Sequence, residues 1–301
     1  AWVERRGSAL MQNRAGPNRI GPLGLLHSLC DGIKFAFKED PIPGHTNGFY
    51  YAAAPILSLV VAFITIAVVP FADSILWNDR TITFQVANLN VGLLYILSVG
   101  SLGVYGIIMA GWASNNKYSL LGSLRSSSQM ISYELSLGLS IIGIIMLAGT
   151  TELNDIARMQ GQAWFQLGPI TVPKLGVLQQ PLGFLIFLTA VFAETNRLPF
   201  DLPEGESEIV AGYHLEYGSL KFAMFMMAEY GNMMVGSALI STLYFGGWQM
   251  LPGMHQVHEF LVHQAMLEPL GAEILRVAFQ ITALASKIVF FMWFFVWVRW
   301  T

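Results

Sequence analysis

Cysteine is almost absent from this chain, since Cys30 is the only one among 301 residues. One cysteine excludes a disulfide framework, and it excludes an iron–sulfur cluster held by four cysteines of the same chain. Charged residues are also scarce, at 12%, whereas about a quarter of the residues in a soluble domain are charged. Hydrophobic residues make up 54%, and the mean hydropathy is +0.54. This composition predicts a membrane protein, and any electrons that pass through it would use a cofactor held elsewhere or a diffusible one.

Several motifs that would indicate other functions are missing. The net charge is only −3, and no basic stripe with interleaved aromatics suggests a nucleic-acid partner. The chain has no glycine-rich dinucleotide fingerprint, no phosphate-binding loop and no nucleophile elbow, so we expect neither NAD nor flavin on it. The histidines form no H-E-x-x-H pattern, and His258 and His263 stand five residues apart in a loop, so we expect no metal site.

The apolar runs predict a single all-α domain over residues 1–301, built as a polytopic membrane helix bundle. Only helices or closed barrels satisfy backbone polar groups in hydrocarbon, and the short alternating strands of a barrel do not recur here. About 20 apolar residues are needed to cross the hydrocarbon core. The segments that meet this requirement lie near residues 50–71, 91–112, 131–149, 177–195, 222–246 and 274–298.

The distribution of basic residues predicts the orientation. If the N-terminal segment is cytoplasmic, eleven Lys and Arg fall in the inner loops, and only Arg80, Arg158 and Lys174 fall in the outer loops. Cytoplasmic loops carry the excess of positive charge, so this orientation is the predicted one. The chain begins without Met and ends just after an apolar run, and we expect further helices on both flanks.

A surface helix is predicted over residues 22–38. Apolar residues recur there every three or four positions, with charged residues on the other side of the helix. Such a helix either lies along the inner membrane surface or packs on protein as a cytoplasmic helix, and the periodicity favours neither. The apolar stripe consists of Leu26, Leu29, Ile33 and Phe37.

Acidic residues are concentrated in one part of the chain. Of the 19 Asp and Glu, seven fall between residues 194 and 229. Glu134, Glu194 and Glu229 lie on three different spans, all within roughly the inner third of the membrane at a rise of about 1.5 Å per residue. Carboxylates are costly near lipid, so this group indicates a proton relay or a charge-sensing path. For Glu194 and Glu208 taken singly, an exposed acid at a helix end is an equally good interpretation.

The segment after the fourth span is predicted to be irregular. Pro199 and Pro203 bracket the residues between them and prevent a regular helix. Irregular backbone at membrane depth is stable only against protein or a cavity. We therefore expect a cavity lined by Phe200, Leu202 and the apolar face of the 22–38 helix. Such a cavity would suit an amphipathic ligand with a long apolar tail.

One arginine stands at the mouth of this expected cavity. Arg197 follows Glu194 by three residues and precedes Asp201 by four. Either acid could form an ion pair with the guanidinium, which would give the group a structural role only.

Six motifs of the chain are found together in one protein family. They are E-R-R at 4–6, G-P-N-R at 16–19, G-W-A-S-N-N-K-Y-S-L-L-G-S-L-R-S at 111–126, Q-M-I-S-Y-E-L at 129–135, A-E-T-N-R-L-P-F-D-L-P-E-G-E-S-E at 193–208 and A-E-Y at 228–230. Over almost its whole length the chain resembles the H (or first mitochondrial-type) membrane subunit of respiratory complex I, the proton-pumping NADH:quinone oxidoreductase. The motif at 193–208 is the most specific of the six.

This resemblance implies a membrane subunit that couples quinone reduction to proton translocation. The family's subunit forms most of the tunnel through which quinone, either ubiquinone or menaquinone, reaches an iron–sulfur subunit. It binds no NAD, flavin or iron–sulfur cluster itself. Its partners are hydrophilic quinone-site subunits, antiporter-like membrane subunits and membrane lipid. With Phe200 from the expected cavity, the quinone-binding residues are Arg19, Lys34, Phe37, Arg197, Phe200, Asp201, Glu204 and Glu206. The implied proton relay consists of Glu134, Glu194, Glu204, Glu206, Glu208, Glu216 and Glu229.

Two other functions are compatible with parts of the sequence. The homologous subunit of an energy-converting hydrogenase or formate hydrogenlyase would share the fold without needing a quinone tunnel. A free-standing proton-coupled carrier would show inverted repeats and helices broken at mid-membrane, whereas the acids here cluster on one side. The motif G-Y-H-L-E-Y at 212–217 looks more bacterial than mitochondrial, which predicts the plasma (inner) membrane of a bacterium.

Overall fold

The chain folds into a helical bundle with two small β-hairpins, as seen in a computed structural model. The structure describes residues 2–300, apart from 78–79, 168–169, 203–204, 252–253 and 266–268. The helices are α1 (Trp2–Met11), α2 (His27–Phe37), α3 (Gly48–Ile66), α4 (Gly92–Ala113), α5 (Lys117–Ala148), α6 (Leu153–Gln160), α7 (Gly176–Gln179), α8 (Pro181–Glu194), α9 (Glu206–Ile209), α10 (Ser219–Tyr244), α11 (Met254–Ala265) and α12 (Pro269–Trp300). The strands are β1 (Ala72–Trp77), β2 (Arg80–Phe84), β3 (Ala163–Leu167) and β4 (Ile170–Pro173), and short 3₁₀ turns occur at Pro22–Gly24 and Gly212–His214.

Four of the described helices, α3, α4, α5 and α12, are long and apolar enough to cross a membrane. They correspond to the first three predicted spans and to the last, which confirms a polytopic membrane helix bundle. α10 has 26 residues, but Glu229 and Asn232 near its middle make it less apolar than these four. α8 is apolar, yet it has only 14 residues.

α10 lies at the centre of the bundle and packs on α3, α12 and α8. Every residue from Val235 to Tyr244 is buried. A Cβ at Gly236 would stand 2.5 Å from Val191 Cγ1, so the missing side chain lets α8 approach closely. Phe187 and Phe295 complete the core around this half of α10. A helix that is apolar or small on all sides is stable only when it is enclosed in this way.

Both β-hairpins lie on the predicted outer side, since each follows a helix that runs away from the inner side. β1 and β2 pair antiparallel, with Ile75 opposite Ile82, and β3 and β4 pair in the same sense. The sequence analysis predicted no strands here. The alternation in R-T-I-T-F of β2 is typical of a half-buried strand, but the hairpin is too short to stand out between membrane spans.

α5 is much longer than the third predicted span, because it begins at Lys117 rather than near residue 131. At about 1.5 Å per residue its 32 residues extend roughly 48 Å, well beyond a hydrocarbon core of about 30 Å. Asn116 caps its first turn, accepting a hydrogen bond from Tyr118 N at 3.0 Å. Gly149, with φ of +68°, ends it in the left-handed conformation. Serines and glycines in the first turns lowered the hydropathy and hid this part of the helix.

α8 is much shorter than the predicted span at 177–195, because Pro181 starts a new helix after the single turn of α7. Its 14 residues rise roughly 21 Å, less than a hydrocarbon core of about 30 Å. The chain becomes irregular just after Glu194, as Pro199 predicted. The side-chain amide of Gln129 stabilises this backbone, since Nε2 donates to Ala193 O at 2.8 Å and Phe200 O at 3.0 Å.

The predicted apolar stripe of α2 faces outwards. All four of its residues are exposed, and Phe37 has the largest exposed fraction, 87%. The opposite face turns towards α1, where the Arg5 guanidinium contacts the Asp31 carboxylate at 2.6 Å. No part of the described chain covers the stripe, so both predicted locations, along the membrane surface or against another protein, agree with the structure.

Candidate functional site

Two small cavities connect three carboxylates that belong to different helices. The first, about 20 Å³, is lined by Glu194 of α8 and by Glu229 and Asn232 of α10. The second, about 40 Å³, shares Glu194 and Asn232 and adds Glu134 of α5. A space of about 10 to 15 Å³ with polar partners is enough for one water molecule. The acids that the sequence placed at one depth therefore surround two adjoining spaces that can each hold water.

A third cavity extends the row towards the inner loop. It measures about 10 Å³ and is lined by Arg197, Asp201, Arg299 and Glu229. Glu229 thus lies between the loop charges on one side and Glu194 on the other. The order through the bundle is the loop, then Glu229, Glu194 and Glu134.

Small residues of α4 make room for the acids. Ser101 Oγ donates a hydrogen bond to Glu134 Oε1. A Cβ at Gly100 would lie 3.8 Å from Glu194 Oε1, an ordinary van der Waals distance, so this face of α4 passes close beside the carboxylate. On the other side of α4, a Cβ at Gly106 would stand 2.2 Å from Ser58 Oγ of α3, which explains the close packing of these two helices.

Glu229 is held from the loop that precedes α10. Tyr213 Oη donates a hydrogen bond to Glu229 Oε1 at 3.1 Å. The neighbouring imidazole of His214 is largely buried, and this burial lowers its pKa from 6.5 to about 4. The His214 side chain is therefore neutral at physiological pH and adds no charge to the loop.

A buried ion-pair cluster is centred on Glu4 of α1. Glu4 Oε1 accepts from Arg197 Nη1 at 3.1 Å and from Arg299 Nη1 at 2.8 Å. Its other oxygen, Oε2, accepts from the Tyr230 hydroxyl. The Arg197 guanidinium also stands over the Tyr230 ring, 4.9 Å from its centroid. The cluster ties α1, the inner loop, α10 and α12 together.

A much larger cavity, about 540 Å³, lies between α1, α2, α10 and α12. Phe35, Phe222, Met226 and Met227 form apolar parts of its wall, whereas the Glu4 cluster supplies charged groups. α2 contributes to the lining through Ser28, Asp31, Gly32 and Phe35, and not through the apolar stripe that was expected to line the cavity. Phe200 and Leu202, the other expected wall residues, are not part of this lining. Methionine is flexible and polarizable, so this wall can adapt to the shape of an apolar ligand.

The remaining predicted site residues lie at several places. Glu208 pairs with Arg125 at 2.6 Å on the surface, and Glu216 accepts from Asn116 Nδ2 at 2.7 Å. Phe200 packs edge-on against Tyr133. The side chains of Arg19, Lys34, Phe37 and Leu202 are exposed. Glu204 lies outside the described residues, as does the side chain of Glu206.

Arg197 has a partner that the sequence did not suggest. It forms an ion pair with Glu4, whereas Glu194 and Asp201 were the partners considered from the sequence, and Asp201 lines the same small cavity as Arg197. Glu194 faces Glu134 and Glu229 across the cavities instead. Sequence distance misled the prediction, because α1 is far away along the chain but next to the loop in space.

Sequence reasoning also assigned no role to Glu4, Ser101, Tyr213, Asn232 or Tyr230. Glu4 and Tyr230 belong to the E-R-R and A-E-Y motifs, so a signal for them was present. Ser101 and Asn232 are small polar residues in apolar helices, a pattern that indicates either close packing or hydration.

The comparison with known proteins decides the family. A family model described as NADH dehydrogenase matches residues 1–301. The chain belongs to this family. It is 44% identical to the H subunit of the NADH-quinone oxidoreductase of Bdellovibrio bacteriovorus, over 100% of this chain and 82% of the relative. It is 46% identical to the corresponding H subunit of Thermomicrobium roseum, over 99% and 80%, and 44% identical to NADH-quinone oxidoreductase subunit 8 of Rhodothermus marinus, over 100% and 82%.

Membership of the NADH dehydrogenase family confirms the resemblance carried by the six motifs. The relatives named above are bacterial, and four described helices can cross a membrane. The chain is thus a multi-pass protein of a bacterial inner membrane. Among the described residues, no group of three or more His, Cys, Asp and Glu could hold a metal ion.

Proposed function

We propose that this chain is the H-type membrane subunit of an NADH:quinone oxidoreductase, in which it forms a quinone access tunnel and a carboxylate relay. The row of cavities from Asp201 through Glu229 and Glu194 to Glu134 is the observation that carries the proposal. It is supported by relatives named as NADH-quinone oxidoreductase subunits, which the chain matches over 82% and 80% of their length.

The tunnel corresponds to the 540 Å³ cavity between α1, α2, α10 and α12. Ligand sites in proteins typically measure about 300 to 1,000 Å³ and combine an apolar lining with a few polar groups. The apolar wall at Phe35, Met226 and Met227 suits a prenyl tail. With the exposed stripe of α2 lying against the membrane surface, a lipid-soluble quinone would enter this cavity from the bilayer.

The relay begins where charge changes during the reaction. Reduction of a quinone to a quinol takes up two electrons and two protons. When those protons come from acidic groups beside Arg197 and Asp201, the groups carry extra negative charge until they are reprotonated, so the charge there changes in each turnover. Glu229 shares a cavity with both residues and therefore senses this change first. Water in the next two cavities connects Glu229 to Glu194 and then to Glu134. Partner subunits on the α4 and α5 side would receive the proton or the electrostatic signal.

The test uses Glu229→Gln and Glu134→Gln in the intact complex in membrane vesicles. Each glutamine keeps the shape of the side chain but cannot carry a proton, so quinone-linked proton pumping should fall at least tenfold. Transfer of electrons from NADH to ferricyanide should stay unchanged, because it does not need this chain. Glu152→Gln, on the predicted outer side, is the matched control.

A tunnel variant tests the other half of the proposal. Ala223→Trp places a large ring in the 540 Å³ cavity and should reduce quinone reduction while ferricyanide reduction continues. The control is Leu139→Trp, because Leu139 of α5 faces away from the bundle with an exposed fraction of 70%. Normal quinone-linked pumping in both glutamine variants would refute the relay, and normal quinone reduction with Ala223→Trp would refute the tunnel.

A further inference from the structure

The turn that carries Tyr213 is fixed to α5 by backbone contacts. Ser119 Oγ donates to Tyr213 O at 2.9 Å. A Cβ at Gly122 would stand 2.6 Å from Gly212 Cα, so only the missing side chain allows the two backbones to touch. Gly212 itself has φ of +65°, a conformation that favours glycine. The turn therefore has a defined position relative to α5.

The Tyr213 side chain projects from this turn into the row of cavities. It is 1% exposed and lines the first cavity together with Glu194 and Glu229. Its ring packs edge-on against Phe225 of α10, with 5.4 Å between the centroids. The packing holds the phenol in one place, and its hydroxyl donates to Glu229 Oε1 at 3.1 Å.

We propose that Tyr213 is a positioning residue of the relay, which holds the Glu229 carboxylate towards the cavity that it shares with Glu194. This inference rests on the proposed function. A hydrogen bond to a carboxylate is directional and stabilises its charged form. Tyr213 thereby keeps Glu229 in the row between the loop charges and Glu194.

Tyr213 also connects Glu229 with the acidic loop. The segment from Asp201 to Glu208 leads directly into the turn at Gly212–His214.

Several charged groups surround Glu229 besides this phenol. Glu194 faces it from α8 across the first cavity. Arg197 and Asp201 of the loop and Arg299 of α12 face it across the third. The Tyr213 phenol differs from these four in being neutral, so removing its hydroxyl leaves the formal charge around Glu229 unchanged. The expected effect of such a change is therefore one of orientation and hydrogen bonding.

The experiment compares Tyr213→Phe with Tyr217→Phe in the intact complex in inverted vesicles. Tyr217 is a matched control, because its hydroxyl is buried without a hydrogen-bond partner in the described chain and its ring stacks on Tyr51 at 4.2 Å. Tyr213→Phe should lower pumping per assembled complex and shift its pH profile by about one unit to higher pH, since a hydrogen bond to a charged group is worth about a factor of ten. Tyr217→Phe should change neither quantity.

A double variant separates positioning from packing. When Glu229 is already glutamine, adding Tyr213→Phe should cause no further loss, because the two residues act through one contact. The inference is overturned if Tyr213→Phe leaves the pH profile of pumping unshifted. It is equally overturned if Tyr217→Phe loses as much pumping as Tyr213→Phe, or if the losses of pumping add in the double variant. If Glu229→Gln alone pumps normally, the relay itself is wrong, and this outcome is distinct from a failure of Tyr213.

Discussion

Two sets of buried polar groups, one at the inner end of the bundle and one at the outer end, have different surroundings. At the outer end, polar side chains bind one another and the backbone: Asn154 Nδ2 donates to Gln85 Oε1 at 2.9 Å, and Trp248 Nε1 donates to Asn154 Oδ1 at 3.2 Å. At the inner end, Glu194 and Glu229 face small cavities. Paired amides give a fixed structure, whereas carboxylates beside water can exchange protons. These polar groups at the outer end therefore stabilise the fold, and we assign Glu194 and Glu229 to the proposed relay.

Two further side chains at the outer end show the same pattern. Gln160 Oε1 accepts from Gly176 N at 3.0 Å and from Gly246 N at 2.9 Å. The Lys287 ammonium donates to three carbonyl oxygens just after α10, those of Phe245, Gly247 and Gln249, at 2.8 to 2.9 Å. Carbonyls at a helix C-terminus attract a cation, so this lysine caps α10 from α12.

The largest effect on stability is expected from an inner group that is structural. Arg197→Met would remove one ion-pair partner of Glu4. Both side chains are buried, with exposed fractions of 9% for Glu4 and 7% for Arg197. Breaking a buried ion pair costs about 3 to 5 kcal/mol when it leaves a charge alone. Arg299 and Tyr230 still contact Glu4, so the cost should be nearer the lower figure, and the yield of assembled complex after detergent extraction should fall. Arg125→Met, which breaks the surface pair with Glu208, should cost less than about 1 kcal/mol. Equal yields of the two variants would contradict this assignment.

Lys287→Met should have the next largest effect, at the outer end. Three carbonyls would lose a charged donor, and one such hydrogen bond is worth about 1.5 to 3 kcal/mol. We expect a lower midpoint of thermal unfolding but normal pumping per assembled complex. Lys174→Met is the control, since Lys174 contacts only Gln162, at 3.4 Å, among the hydrogen bonds of the described chain. Impaired pumping per assembled complex in Lys287→Met would contradict the assignment of a purely structural role to the polar groups at the outer end.

The smallest effect concerns pH. The folded-state pKa of His214 is about 4, below its ordinary 6.5, so the unfolded chain binds a proton first as the pH falls. Stability should therefore be complete above pH 6.5 and decrease towards pH 4, by about 1 kcal/mol between pH 7 and 5.5. In His214→Phe this decrease should be weaker, whereas His45→Asn, at an exposed loop histidine, should behave like the parent. Thermal unfolding at the two pH values measures the difference.

The spans were predictable because hydropathy depends on local composition alone. The acids on three helices were also predictable, since each helix has a defined rise and direction. Interactions between distant segments were not. Glu4 stands in a helix of ten residues that no span length identifies, and its pairing with Arg197 depends on how α1 packs. The close approach of Gly122 to Gly212 is likewise a property of tertiary packing.

Helix ends were less predictable than helix centres. Hydropathy placed the start of α5 near residue 131, because the serines and glycines that pack against the inner turn resemble a loop in composition. Hydropathy also merged α7 and α8 into one span, since the backbone break at Pro181 occurs within apolar sequence. In both cases packing and proline geometry set the boundary, and polarity did not.

The short reach of α8 has an electrical consequence. Glu194 stands at its inner end, roughly 21 Å from its start. With the start of α8 at the outer boundary of a hydrocarbon core of about 30 Å, a proton that the proposed relay brings to Glu194 from the cytoplasm would have crossed only a minor part of the insulating layer. A charge that crosses the whole layer gains or loses about 2.3 kcal/mol per 100 mV. In the proposed relay, most of the work against the transmembrane voltage would therefore fall to the pathway that continues beyond Glu134.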